Sequence, residues 1–103
     1  HRDLHSFPTR RSSDLMVARY GGDEICILLI EGDAVTAVRV AERIRRSVAD
    51  TPFECSAGQT QVTVSLGVAT MNPTGDSLEQ LIERADRALN HAKRQGRNRV
   101  VVR

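Results

Sequence analysis

The residues best suited to chemistry stand together in Arg19-Tyr20-Gly21-Gly22-Asp23-Glu24, directly ahead of an apolar run, Ile25-Cys26-Ile27-Leu28-Leu29-Ile30. Two adjacent carboxylates are hard oxygen ligands of the kind that Mg²⁺ selects. The glycine pair before them offers backbone that a phosphate can approach closely, with no Cβ in the way. Two glycines between residues of strand type also read as a tight hairpin turn, since both can take positive φ. Turn, phosphate contact and metal site would then share one hairpin. Taken alone, the six residues fit a surface hairpin with solvated acids better than a site, so the rest of the chain has to decide.

A second group lies near the C-terminal end. Lys93 is the only lysine among 15 basic residues. With Arg97 four positions later at a helix end, it can form a two-pronged phosphate clamp. Cations are also favoured at a helix C-terminus by the dipole alone, and that reading stays open.

Periodicity supplies the elements that must hold these groups. Met16–Tyr20 reads as a strand, with Ile25–Ile30 as its hairpin partner; the second is apolar without alternation, as a central strand covered on both faces would be. Glu31-Gly32-Asp33 breaks it, and Asp33 can cap a helix over Ala34–Ala49. There Val35, Val38, Ala41, Ile44 and Val48 form one apolar stripe, while Arg39, Glu42, Arg43 and Arg46 occupy other faces as solvated charges. Thr51-Pro52 ends that helix. Phe53–Ala57 and Gln61–Thr70 read as two strands around a loop at Gly58. The second sets Val62, Val64, Leu66 and Val68 on one face and Thr63, Ser65, Gly67 and Ala69 on the other, a small face against which something must pack closely. Ser77 with Gln80 makes a capping box for a helix carrying Leu78, Leu81, Ile82, Ala85, Ala88, Leu89 and Ala92. Gly96 ends it, and Val100–Val102 is a last strand.

Composition narrows the classes. A chain of 103 residues allows one domain, and 40% hydrophobic with 27% charged residues is ordinary for a globular protein. No apolar run approaches the roughly 18 residues of a membrane span, so no membrane segment and a cytoplasmic location are expected, although other domains could anchor the parent protein. A net charge of +2 and three aromatics, Phe7, Tyr20 and Phe53, argue against a nucleic-acid partner. Cys26 lies in the apolar run and reads as a reduced, buried thiol.

Residues 1–15 stand apart from the rest. They are polar, basic and without period, and they back-translate into a sequence resembling a common sequencing-adapter oligonucleotide read in frame. They are expected to be a non-native, disordered tail, with one domain over 16–103. Arg2, Arg10, Arg11, Asp3 and Asp14 belong to that stretch, so the remainder is close to neutral.

Taken together, four blocks in order resemble the C-terminal part of a GGDEF domain, the diguanylate cyclase family. They are Val17 to Glu24; Ala41-Glu42-Arg43-Ile44-Arg45; Val62-Thr63-Val64-Ser65-Leu66-Gly67-Val68-Ala69; and Ala85 to Arg99. The resemblance implies an α/β, palm-like nucleotidyl-cyclase fold, here truncated, with a mainly antiparallel sheet and two amphipathic helices. It implies a homodimer in which two GTP-loaded domains face each other. Each 3′-hydroxyl attacks the partner's α-phosphate, giving cyclic di-GMP and pyrophosphate. By position, Asp23 would ligate Mg²⁺ (or Mn²⁺) and help to deprotonate the 3′-hydroxyl, and Glu24 would assist as a second metal ligand. Gly21 and Gly22 would lie against the nucleotide, and Lys93 and Arg97 would hold its terminal phosphates.

Several departures accompany the resemblance. Ile25 stands where the family has an aromatic and is expected to remain in the core. Asn90 replaces a common tyrosine. No residue of this chain matches the family's first metal-binding aspartate, or the asparagine and aspartate that read guanine. Arg11-Ser12-Ser13-Asp14 imitates the family's product-inhibition motif, but six residues rather than five separate it from Gly21, and it falls in the adapter-like stretch; it is rejected. Arg43 matches an arginine of a secondary inhibitory surface. The parent protein is thus expected to be a diguanylate cyclase, with this chain inactive by itself. The alternative is a degenerate module that binds GTP or cyclic di-GMP without catalysis.

Overall fold

The computed structural model describes residues 15–29 and 33–103. Residues 1–14 of the tail expected over 1–15, with its Arg11–Asp14 imitation, and the strand end and break at 30–32 lie outside those residues, whereas Leu15 is the first residue of a paired strand. β1 (Leu15–Arg19) and β2 (Ile25–Leu29) form an antiparallel hairpin in which Leu15 faces Leu29 and Arg19 faces Ile25. Among the described residues β1 is the only strand paired with β2, and Ile25 is 66% exposed. The central, doubly covered strand and the core role of Ile25 are therefore corrected. An unbroken apolar run shows what a strand can be buried against, not what covers it within this chain.

Local signals placed both helices. Asp33 is extended and its Oδ1 accepts the Thr36 N–H at 2.9 Å, opening α1 (Ala34–Asp50). Ala41 is buried on the inner face while Val35, in the first turn, is 58% exposed, so the apolar stripe begins at Val38. The Ser77–Gln80 capping box is present in both directions and opens α2 (Leu78–Arg94). Leu81, Ala88 and Ala92 are buried, the two alanines completely. Asn90 is exposed, so its replacement of a larger residue leaves no gap in this packing.

The middle of the chain differs from the expected pair of long strands. β3 (Phe53–Cys55) and β4 (Gly58–Thr60) make a short, exposed antiparallel hairpin, with Cys55 opposite Gly58 and Ser56-Ala57 as the turn. Gly58, at φ 111°, opens a strand instead of sitting in a loop. β5 is only Leu66–Val68, because its partner β6 (Val100–Val102) offers just three residues for pairing. The two are parallel and joined through α2, a βαβ unit extended at its ends by Leu66 N–H to the Arg99 carbonyl at 3.0 Å and Arg103 N–H to the Val68 carbonyl at 2.7 Å.

The small face of β5 is where α2 packs. A Cβ added to Gly67 would stand 2.1 Å from the Ala85 carbonyl oxygen and 2.3 Å from the Leu89 nitrogen, so only glycine lets strand and helix backbones meet. Arg84 fastens the other end of this unit, donating to the Thr70 carbonyl at 2.7 Å and pairing with the Asp76 carboxylate. Asp76, its side chain 7% exposed, also accepts the Asn72 N–H at 2.7 Å. That backbone bond, with Arg84 beside it and partial burial opposing, holds the Asp76 carboxyl below the usual range. The whole is α/β, with two amphipathic helices packed on the parallel β5–β6 pair and two antiparallel hairpins besides.

Candidate active site

The loop between β1 and β2 spans residues 20–24 and is closed by backbone bonds. The Tyr20 and Gly21 N–H groups both donate to the Glu24 carbonyl, at 2.9 and 3.2 Å. Arg19 braces it from the strand end, its guanidinium donating to the Gly22 carbonyl at 2.7 Å and to the Gly21 carbonyl at 3.4 Å. The expected positive φ at Gly21 and Gly22 is not found; the glycines that adopt it among the described residues are Gly58, Gly75 and Gly96. A longer loop relieves the twist that a two-residue turn would have to absorb. A Cβ on Gly21 would make only ordinary contact with the Glu24 side chain, at 3.6 Å, and one on Gly22 would meet nothing within 4 Å. Neither torsion nor internal packing requires glycine here, which leaves the bare backbone open to an incoming group.

Asp23 is exposed at the loop tip, while Glu24 is half-buried and turned toward α2. There Lys93 Nζ lies 3.4 Å from Glu24 Oε2, with the two side chains 31% and 26% exposed. Hairpin and helix end, read separately from the sequence, are thus brought together.

Arg97 does not share the helix with Lys93. α2 stops at Arg94 and is closed by a Schellman arrangement in which Arg97 N–H donates to the Ala92 carbonyl at 2.9 Å and Gly96 N–H to the Lys93 carbonyl at 3.5 Å. Gly96, Arg97 and Asn98 then follow one another at φ 117°, 65° and 50°. For the two non-glycine residues this conformation costs roughly 1–2 kcal/mol each, somewhat less for asparagine. The i, i+4 geometry expected for the clamp is therefore replaced by a left-handed loop directly after the helix end, with Arg97 outside the helix.

That loop is held from outside. Asn98 N–H donates to Ser65 Oγ at 3.1 Å, and Asn98 Oδ1 accepts from Arg45 Nη1 of α1 at 2.9 Å. Arg45 is itself paired with Glu42, one turn earlier on α1. Glu42, read as a solvated charge, is thus an ion-pair partner, and it also lies 3.9 Å from Arg46. Arg43 is exposed on α1. From sequence, Arg45 and Asn98 had no role beyond membership of the matched blocks, Ser65 none beyond the small strand face, and Arg19 none beyond opening the candidate stretch. Their partners are carbonyls and side chains that no local pattern identifies.

By donor chemistry, Asp23 and Glu24 suit a hard divalent cation. Among the described residues no group of three acidic, histidine or cysteine side chains gathers that could hold one. Two carboxylates would be only part of a magnesium site, and its other oxygen ligands would have to come from elsewhere, such as water and phosphate.

Comparison with known proteins gives the family. Residues 6–99 match the family described as "Diguanylate cyclase, GGDEF domain". Diguanylate cyclase DosC of Escherichia coli is 47% identical over 91 residues, covering 87% of this chain and 19% of that protein. Diguanylate cyclase A of Treponema denticola is 42% identical over 85 residues, covering 82% of this chain and 23% of the relative. Diguanylate cyclase SiaD from Pseudomonas aeruginosa, solved in complex with its activator SiaC, superposes with a TM-score of 0.84 at 32% identity, covering 99% of this chain and 38% of that one. The chain belongs to the GGDEF family of diguanylate cyclases. It spans about a fifth of the length of the curated relatives it matches, between 19% and 23%.

Proposed function

We propose that residues 16–103 supply the hairpin and phosphate-side residues of a diguanylate cyclase site that condenses two GTP into cyclic di-GMP and pyrophosphate. The substrate is GTP, and the working form is a homodimer with two sites face to face. Because GTP is a cytoplasmic nucleotide, the domain would act in the cytoplasm. Among the described residues no helix is long and apolar enough to cross a membrane.

The role proposed for each residue rests on its chemistry and on the family resemblance. Asp23, exposed at the loop tip, would hold Mg²⁺ or Mn²⁺ and accept the proton of the attacking 3′-hydroxyl. Glu24 stands behind it as second carboxylate. The bare backbone of Gly21 and Gly22 would lie along the nucleotide, and Lys93 and Arg97 would hold the terminal phosphates. The metal, when bound, neutralises charge on the phosphates, the main demand of phosphoryl transfer. The observation that supports this reading is the Lys93–Glu24 contact at 3.4 Å, which sets a cation of the type suited to phosphate beside a carboxylate of the type suited to a hard metal.

The 103-residue chain by itself would not turn over. Two carboxylates make an incomplete magnesium cage, and poor positioning alone can cost about a hundredfold in rate. The same incompleteness favours the second reading, a module that binds GTP or cyclic di-GMP and regulates a neighbouring domain.

A product assay with Mg²⁺ and then Mn²⁺ tests both readings. The chain alone should give no cyclic di-GMP, while a complete domain carrying this sequence should give it and should lose it on Asp23→Ala with an unchanged melting curve. GTP binding without product from the complete domain would favour the regulatory module. Full turnover in Asp23→Ala would remove the role given to that residue.

A further inference from the structure

We infer that Arg45, acting through Asn98, is a positioning residue that holds Arg97 in place for the phosphates; this rests on the phosphate role proposed above for Arg97. The starting point is a conformational cost without an internal return. Arg97 sits at φ 65°, where glycine would be easier, yet its side chain is exposed. Among the described residues only its backbone makes hydrogen bonds, Arg97 N–H to Ala92 and Arg97 carbonyl from Arg99 Nε at 3.1 Å. A side chain kept at such a place, and unused by the fold, has its use outside the fold.

A left-handed pair of non-glycine residues persists only where its surroundings fix it. Arg45 and Ser65 do this from two sides, gripping the Asn98 side chain at 2.9 Å and its N–H at 3.1 Å. Arg45 is poorly placed to bind an anion itself. Its Nε is taken by Glu42, its Nη1 by Asn98, and its side chain is only 21% exposed. Glu42 balances its charge and aims it, so that Arg45 acts on the neighbouring Arg97 by fixing the backbone that carries it.

The test is calorimetric titration of the full 103-residue chain with inorganic tripolyphosphate and Mg²⁺ at fixed ionic strength. Arg97→Gly should raise thermal stability slightly, by relieving the left-handed strain, yet weaken binding by about tenfold through loss of a charge-assisted contact. Arg45→Ala and Asn98→Gly should each weaken it by about two- to tenfold, the equivalent of one ordinary hydrogen bond. Asn98→Gly keeps the backbone conformation accessible and removes only the side-chain acceptor, so it decides the matter if Arg45→Ala unfolds the chain.

In the Arg97→Gly background, Arg45→Ala should add less than about a twofold loss, because a residue acting through Arg97 has nothing left to act on. An equal loss in both backgrounds would overturn the inference, since Arg45 would then touch the anion or serve the fold at large. Unchanged affinity in Arg45→Ala and Asn98→Gly, beside a weakened Arg97→Gly, would sink the positioning role alone. No binding by the unaltered chain, or no effect of Arg97→Gly, would remove the phosphate role and this inference with it.

Discussion

Lys93 Nζ lies 3.4 Å from Glu24 Oε2, joining the end of α2 to the β1–β2 loop across 69 positions of sequence. Both side chains are partly exposed, so as a stabilising pair the contact contributes at most about 1 kcal/mol. Its interest lies in the two ligands it sets side by side, a cation suited to phosphate and an anion suited to metal. Lys93→Ala should therefore shift the urea midpoint little while weakening GTP binding by roughly 1–3 kcal/mol, as for one lost charge-assisted contact. A variant that is strongly destabilised and binds GTP unchanged would show that the pair belongs to the fold and not to the site.

Gly22 gives a cleaner separation of fold from function. It has no positive φ to maintain, and a Cβ there would meet nothing within 4 Å. Gly22→Ala should leave stability unchanged or slightly improved, since alanine restricts the unfolded chain. The added methyl would nevertheless stand where the nucleotide is proposed to lie, and GTP affinity in a complete domain should fall by about tenfold or more, a steric loss of at least roughly 1.4 kcal/mol. Unaltered affinity would mean that the nucleotide does not approach this backbone.

What was legible in the sequence was mostly local. Asp33 with Thr36 and Ser77 with Gln80 are capping signals whose partners lie within three residues, and both helices begin where they indicate. The small face around Gly67 was also legible, although it announced only a close neighbour and not that the neighbour would be the backbone of Ala85 and Leu89. The metal and phosphate candidates came from residue type and family resemblance, and the structure brings Glu24 and Lys93 together.

Illegible features depended on partners elsewhere in the chain. β5 is short because β6 is short, and alternation from Val62 to Val68 says nothing of its partner's length. Ile25 and Val35 are exposed because apolar character does not state what will cover it. The Arg45–Asn98 bond joins positions 53 apart, and no spacing rule reaches that far. Arg97 misled for another reason. A four-residue spacing from Lys93 implies one helix face only if the helix continues, and the Gly96 cap ends it before that spacing is complete.

Asp76 should give the fold a measurable acid limit. The Asn72 N–H, and then Arg84, stabilise its carboxylate and hold its folded pKa below the unfolded value. A depressed carboxyl pKa contributes stability above the unfolded pKa, near pH 4, and that contribution is lost as pH falls through the lower folded value. Asp76→Asn keeps an oxygen for the Asn72 N–H but removes the charge facing Arg84. The variant should be less stable than the parent at neutral pH, and the difference should narrow toward about pH 2.5. Urea midpoints at both pH values check this; a gap of constant size would mean that the carboxylate's charge has no part in the stability.

Loss of Lys93 should change metal binding with opposite sign in the absence and in the presence of nucleotide. If Glu24 takes the metal role proposed for it, Lys93 would compete with a divalent cation for that carboxylate in the absence of nucleotide. Two unit charges 3.4 Å apart attract by an amount that solvent screening reduces to on the order of 1 kcal/mol at a water-like dielectric. A metal ion approaching Asp23 and Glu24 must displace that attraction and also approach the ammonium. Lys93→Ala should therefore strengthen Mn²⁺ binding to the nucleotide-free chain by a few-fold, the size expected from that screened energy. With GTP present the sign should reverse. On the proposed roles the phosphates would occupy Lys93 and free Glu24 for the metal, so losing the lysine should weaken nucleotide and metal together. Mn²⁺ relaxation enhancement with and without GTP measures both cases on the same protein. Weaker Mn²⁺ binding in Lys93→Ala under both conditions would mean that the lysine supports the carboxylates structurally, and the competition described by the 3.4 Å contact would be ruled out.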